Sequence, residues 1–241
     1  MKNKFTSMEH FQTVALVFLA LGIIGCDSGT SSPGTDPVEN KTIVCFGDSL
    51  TEGYGASKPG AVDKSKSYPA FLQEKVKAVV INSGKSGDTT SDGLARLEKD
   101  VLSKNPDIVI ILLGANNFLN RESASSTKND LKTIIDKVKN ENRKIYLVSF
   151  VGDSTWEEAY LKIIPDILAP SVKNIIDEYK NIYLQLSSEN KDIELIQNIW
   201  TGIDYTKMSD PIHPNADGYK IIADNIFNAI NPYLRQNNLL K

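Results

Sequence analysis

Histidine is the scarcest chemistry-bearing residue in this 241-residue chain, occurring only at His10 and His213. Cysteine is equally rare, at Cys26 and Cys45. With so few soft or imidazole ligands, and with neither a His-Glu-x-x-His nor a paired Cys-x-x-Cys motif, the sequence supports no metal site. It has no basic stripe interleaved with aromatic residues and a net charge of −3, which argues against nucleic acid as a partner. The apolar run at residues 14–24 is too short to span a bilayer. Gly84-Lys85-Ser86 has the ending of a phosphate-binding loop, but Val79 stands where that motif needs glycine. No internal repeat is present.

Lys2 and Lys4 precede residues 14–24, the arrangement of a secretory signal. The run stops at Cys26, and Ile23-Ile24-Gly25-Cys26 resembles a bacterial lipobox, with Ile23 where Leu is commoner. That resemblance implies a Cys26 that is acylated and becomes the mature N-terminus of an exported lipoprotein, membrane-anchored at the periplasmic or outer surface. The alternative is a plain signal peptide whose Cys26 pairs with Cys45, which an exporting context permits. If Cys26 carries lipid, Cys45 behaves as a small buried hydrophobe within an apolar strand. After Cys26, residues 27–40 form a Ser/Gly/Pro-rich polar stretch, read as a disordered tether with a reach of roughly 20 Å. The organisation is therefore a signal at 1–25, a tether at 26–40 and one folded domain at 41–241. Without its signal the chain is one unit more acidic, and His213 is its sole histidine.

Within the domain, strands and helices alternate. Ile43 to Phe46 suits a buried strand that Gly47-Asp48 breaks. Ser67 is placed to cap a helix with a proline in its first turn and Tyr68, Phe71, Leu72 and Val76 on one face. A second strand is predicted at 78–81, ending at Asn82-Ser83-Gly84. A helix follows over 90–103, and a central strand at 107–113 is apolar throughout. Leu131, Ile134, Ile135 and Val138 mark the next helix, and 144–150 another strand. Residues 155–179 read as helical, interrupted or kinked at Pro165 and Pro170. A fifth strand is predicted at 182–186, and a closing helix over 216–234. This alternation predicts an α/β domain: a parallel sheet of about five strands with helices on both sides, a three-layer sandwich.

In such a sheet the loops at the carboxyl ends of the strands gather on one rim. Here they carry Gly47-Asp48-Ser49, residues 83–88 and Gly114-Ala115-Asn116. A serine hydroxyl is a poor nucleophile unless a base takes its proton, and His213 is the candidate base. Asp210, three residues earlier in a loop stiffened by Pro211 and Pro214, can hold the imidazole's tautomer. Gly87 can offer a backbone N–H, and Asn116 a side-chain amide, to a developing oxyanion. Taken singly, each has a plainer role: Ser49 caps a turn, Gly87 and Asp88 make one, Asn116 closes a loop, and Asp210 with His213 forms a helix-entry loop. Thr51 stands where a Gly-x-Ser-x-Gly elbow would have its second glycine, which argues against the α/β-hydrolase fold.

Together these residues resemble the four blocks of the SGNH, or GDSL, hydrolase family. Gly-Asp-Ser-Leu at 47–50 is similar to the serine block and residues 82–90 to the glycine block. Leu-Gly-Ala-Asn at 113–116 resembles the asparagine block, and Asp-Pro-Ile-His-Pro-Asn at 210–215 the final acid and base block. Residues 86–90 and 93–97 are most similar to the exported thioesterase, lysophospholipase and arylesterase branch. The resemblance implies a flavodoxin-like fold and a cofactor-free serine esterase. In it Ser49, His213 and Asp210 are catalytic, and Ser49, Gly87 and Asn116 form the oxyanion hole. It also implies a small ester, thioester or lysolipid substrate, and the chain is expected to act as a monomer. Phe118 and Leu119 either line an acyl groove or pack their own loop. A carbohydrate O-acetylesterase and a non-catalytic surface lipoprotein are the alternatives. One position departs from the branch: Asn117 stands where it usually has aspartate.

Overall fold

The computed structural model describes residues 41–151, 154–162 and 164–241. The predicted signal, Cys26 and tether lie outside the described residues.

Strand β1 (Thr42–Gly47) is buried along almost its whole length. A four-residue helical turn α1 (Ser49–Glu52) follows it directly, then α2 (Tyr68–Gln73) and β2 (Val79–Gly84). Next come α3 (Thr90–Asp100), β3 (Ile108–Leu112), the short α4 (Ala115–Leu119), α5 (Ala124–Val138) and β4 (Lys144–Val148). The chain closes with α6 (Ser154–Leu161), α7 (Ala169–Glu189), β5 (Ile193–Ile196) and α8 (Ala216–Gln236). The five strands pair in the order β2-β1-β3-β4-β5, all parallel. Helices α3, α5 and α7 pack side by side and α2 packs against α8; with the right-handed crossovers that parallel strands follow, the two groups cover opposite faces of the sheet. This is the predicted three-layer α/β sandwich.

The core follows from the pattern of apolar residues. All five side chains of β3 are buried, as a central strand covered on both faces requires. Each such burial stabilises the fold by about 1.5–3 kcal/mol. Cys45 sits at 0 % exposure within β1, and burial pushes its thiol up to about 12, against a hydrogen bond from Tyr68. The predicted small buried hydrophobe is what the structure contains.

The fifth strand is a correction. Residues 182–186 belong to α7, and β5 is Ile193–Ile196. The buried side chains Ile176, Tyr179, Tyr183 and Leu186 fall at helical spacing, whereas Leu184 between them is exposed. A short apolar run cannot by itself distinguish the two states. The true strand is only four residues long with Glu194 exposed, too brief to carry a periodic signal. Pro170 also differs from expectation: it lies in the first turn of α7, which it starts rather than kinks. Ser67 occupies the N-cap position of α2, but its hydroxyl donates to Lys64 O instead of capping. The predicted helix at 90–103 is α3 followed by a 3₁₀ turn at Leu102–Lys104.

Register decides where the site forms. Gly47 is paired with Gly84 on one side and Leu112 on the other, so the loops leaving β1, β2 and β3 emerge level. The sheet order reverses between β1 and β3, the switch point where open α/β sheets bind ligands. Gly47 permits α1 to fold back onto the strand ends: a Cβ there would lie 2.0 Å from Thr51 Oγ1 and 2.5 Å from Leu112 O.

Candidate active site

Ser49 is the first residue of α1, 9 % exposed, and its hydroxyl faces the cleft over the switch point. Asp48 caps this turn, its Oδ1 accepting the Leu50 N–H at 3.0 Å. Tyr219, on α8, donates its hydroxyl to Tyr54 O at 2.8 Å and to Ser49 O at 3.3 Å, pinning the serine turn from below.

His213 arrives on the loop before α8. Ser209 N–H donates to His213 O at 2.8 Å, closing the loop into a tight hairpin. Its Nε2 lies 3.0 Å from Ser49 Oγ, and its Nδ1 lies 2.8 Å from Asp210 Oδ2. Asp210 Oδ1 also accepts the backbone N–H groups of Ile212 at 2.9 Å and His213 at 2.8 Å. Burial alone would raise the Asp210 carboxyl, but these N–H donors and the imidazole together hold it below the usual carboxylate range. It is therefore a fixed anion behind the ring. Tyr54 packs against the other side of that ring, centroids 4.5 Å apart.

The glycine loop is fixed by three contacts that sequence reasoning missed. Glu52 accepts both the N–H and the hydroxyl of Ser86, at 2.8 and 2.6 Å. Arg96 donates to Asp88 Oδ2 and, at 2.8 Å each, to Ser83 O and Gly47 O, stacking its guanidinium 4.5 Å over the Phe46 ring. It thus ties the ends of β1 and β2 together. Thr89 and Asp92 form a reciprocal capping box that starts α3 immediately after the loop. Gly87 adopts φ +84°, a left-handed conformation that favours glycine, and lines the cleft with Ser49. Arg96 carried no distinguishing sequence signal, because its pairing with Asp100 is an ordinary i,i+4 helix pair.

Asn116 lies in α4 rather than in an open loop. One amide N–H donates to Asp88 O at 2.9 Å, which orients the group and leaves the second N–H for the cleft. The adjacent departure, Asn117, is fully buried. Its Oδ1 accepts the Thr90 N–H at 2.9 Å, and its Nδ2 donates to Glu122 Oε2 at 2.7 Å and to Thr90 Oγ1 at 3.1 Å. An amide fits here because a carboxylate, Glu122, already faces it.

Ser49, Gly87, Asn116 and His213 line one cleft of about 170 Å³ and Asp210 stands behind His213, so the structure brings together all the predicted site residues of the folded domain. Cys26, the predicted lipidation residue, lies outside the described residues. The apolar wall contains Leu50, Phe118, Leu119, Phe150, Trp200 and Ile212. Phe118 lines the cleft and also packs edge-on against Tyr179 of α7, centroids 5.5 Å apart. Trp200 comes from the loop after β5 and had no sequence signal, whereas Ile212 stands in the acid and base block beside His213. Among the described residues, no group of three or more His, Cys, Asp or Glu side chains could hold a metal ion.

A parallel sheet of this order, with an Asp-His-Ser line at its carboxyl rim, defines an α/β protein equipped for serine-based hydrolysis. The sequence profile of the GDSL-like Lipase/Acylhydrolase family matches residues 45–221, and the chain belongs to that family; it is a carboxylic ester hydrolase. It is 30 % identical over 189 residues to the Thioesterase 1/protease 1/lysophospholipase L1 of Escherichia coli K12, covering 76 % of this chain and 80 % of that one. An arylesterase of Vibrio mimicus is 26 % identical, with 77 % of this chain and 86 % of that one covered. Among solved structures, a psychrotrophic esterase EstA from Pseudoalteromonas sp., inhibited by monoethylphosphonate, superposes with TM-score 0.64 at 23 % identity. That match covers 81 % of this chain and 99 % of the other, and shows the fold.

Proposed function

We propose that Ser49 is the nucleophile, His213 the general base and then acid, and Asp210 the residue that orients His213. The observation that carries this reading is the unbroken contact from Asp210 Oδ2 through the imidazole to Ser49 Oγ, with two links of 2.8 and 3.0 Å. As Oγ attacks the acyl carbon, its proton passes to Nε2, and Asp210 stabilises the imidazolium. The N–H groups of Ser49 and Gly87 and the Asn116 amide receive the negative charge on the carbonyl oxygen; removing one such donor typically costs about 10²–10³ in kcat. Nε2 then returns the proton to the departing alcohol or thiol. Water attacks the acyl-serine with the same base, releasing the acid.

The substrate class we propose is an acyl ester or thioester carrying a short to medium aliphatic chain. Support comes from the apolar wall beside Ser49 and from the thioesterase, lysophospholipase and arylesterase names of the relatives. A cleft of about 170 Å³ leaves room for a chain of a few carbons. Turnover of p-nitrophenyl esters is expected to be higher for butyryl through octanoyl than for acetyl. Activity confined to acetyl esters would overturn this reading in favour of a carbohydrate O-acetylesterase, and failure of a serine-directed phosphonate to label Ser49 would favour a non-catalytic lipoprotein.

We also propose that the enzyme is an exported lipoprotein, anchored through acylated Cys26. Beyond the lipobox-like residues, the burial of Cys45 supports it, since a disulfide to Cys45 would require opening the core strand. Cys26→Ser is expected to move the protein from the membrane fraction to the soluble one; unchanged partitioning would refute the anchor.

A further inference from the structure

Asp48, the residue before Ser49, is 1 % exposed. While Oδ1 caps α1, Oδ2 is buried with no hydrogen-bond partner. A carboxylate only accepts, so an oxygen without a donor leaves charge uncompensated in a low-dielectric interior. The nearby cation does not serve it: Arg96 commits Nε to Asp88, Nη1 to Ser83 O and Asp100, and Nη2 to Gly47 O.

Titratable groups on the surrounding elements interact electrostatically with Asp48. They are Asp88 from the glycine loop, Arg96 from α3, Tyr68 from α2, Tyr183 from α7 and Tyr219 from α8. The phenols are engaged elsewhere: Tyr68 with Thr51 Oγ1, Tyr183 with Leu113 O, and Tyr219 with Tyr54 O. Asp88 adds a like charge. Burial above all pushes the Asp48 carboxyl up to about 7; the Asp88 charge adds to this, while the Leu50 N–H and Arg96 oppose it.

We propose that Asp48 is a positioning residue that works as a neutral carboxylic acid. Protonated, it holds through Oδ1 the turn that presents Ser49; ionised, it sets a negative charge beside the Ser49 N–H and opposes the anionic tetrahedral intermediate. Hydrolysis is then shut down on the alkaline side by a buried side chain that never touches substrate. This rests on the reading of Ser49 as nucleophile.

The test is the pH dependence of kcat/KM for p-nitrophenyl butyrate, with spontaneous hydrolysis subtracted, in the full chain and in Asp48→Asn. Asparagine is near-isosteric, caps a helix as well as aspartate does and cannot ionise. The parent enzyme is expected to give a bell whose alkaline limb falls about tenfold per pH unit. Asp48→Asn is expected to keep the acid limb and lose the alkaline fall. A parent profile without an alkaline fall up to pH 9 overturns the proposal whether or not the variant folds, and so does an identical fall in Asp48→Asn. Turnover surviving in Ser49→Ala would instead remove the nucleophile assignment, which keeps the two failures apart.

Discussion

Replacing Ser49 with alanine should lower kcat/KM for a p-nitrophenyl ester by about 10⁴-fold or more while leaving the fold intact. The effect is this large because the three polar groups act as a unit. Without Oγ, His213 has no proton to accept, and the oxyanion donors can only assist direct attack by water. The structural cost is small, since the substitution removes a single hydroxyl whose side-chain partner is the His213 ring. Alanine suits the first residue of α1, Asp48 still caps the turn, and Tyr219 still holds the Ser49 backbone carbonyl. Stability should therefore change by no more than about 1 kcal/mol. A serine-directed phosphonate should label the parent and not the variant. Full turnover in the variant would show that another residue is the nucleophile.

The second large effect is expected at the departure from the related branch. Asn117→Asp restores the aspartate usual there, yet it should destabilise this chain by about 3 kcal/mol at neutral pH. The Asn117 amide donates to the Glu122 carboxylate at 2.7 Å, and the Oδ2 of Asp130 accepts from Thr90 Oγ1 close by. A carboxylate at this fully buried position would face Glu122 with no intervening donor, and two such groups cannot both ionise. The sign follows from linkage. The introduced carboxyl would have a raised pKa in the folded state, so the loss should be small in acid and grow as pH rises through that value. Thermal melting of Asn117→Asp and the parent at pH 5 and pH 8 measures it. Adding Glu122→Gln should recover most of the lost stability by restoring a donor across the pair. An equal melting temperature at both pH values, without the second change, would refute this account of Asn117.

These two sites mark how far the sequence could be read. Ser49, His213, Asp210, Gly87 and Asn116 were legible only together, as ordered blocks in one chain, since each alone has a plainer turn, loop or capping role. Asn117 was legible only as a departure. Its partner Glu122 lies five residues away across α4, and nothing in the local spacing shows that the two side chains meet. Arg96 was hidden in the same way, since its contacts with Ser83 O and Gly47 O exist only after β1 and β2 pair in register. The misplaced fifth strand had a different origin. Ile182, Tyr183 and Leu186 satisfy both a short strand and one face of a helix, and only the surrounding length of α7 resolves the choice.

By itself the sequence determined the α/β alternation, the central strands and the identity of the chemical groups. Apolar periodicity and glycine turns are local properties, written in contiguous residues. The tertiary structure alone decided that the buried Asp48 has an oxygen without a partner, that Trp200 and Ile212 complete the cleft wall, and that Glu122 accepts from Asn117. Those features depend on which distant side chains arrive at one point and on how much water they exclude. Both are set by strand order and register, not by spacing along the chain.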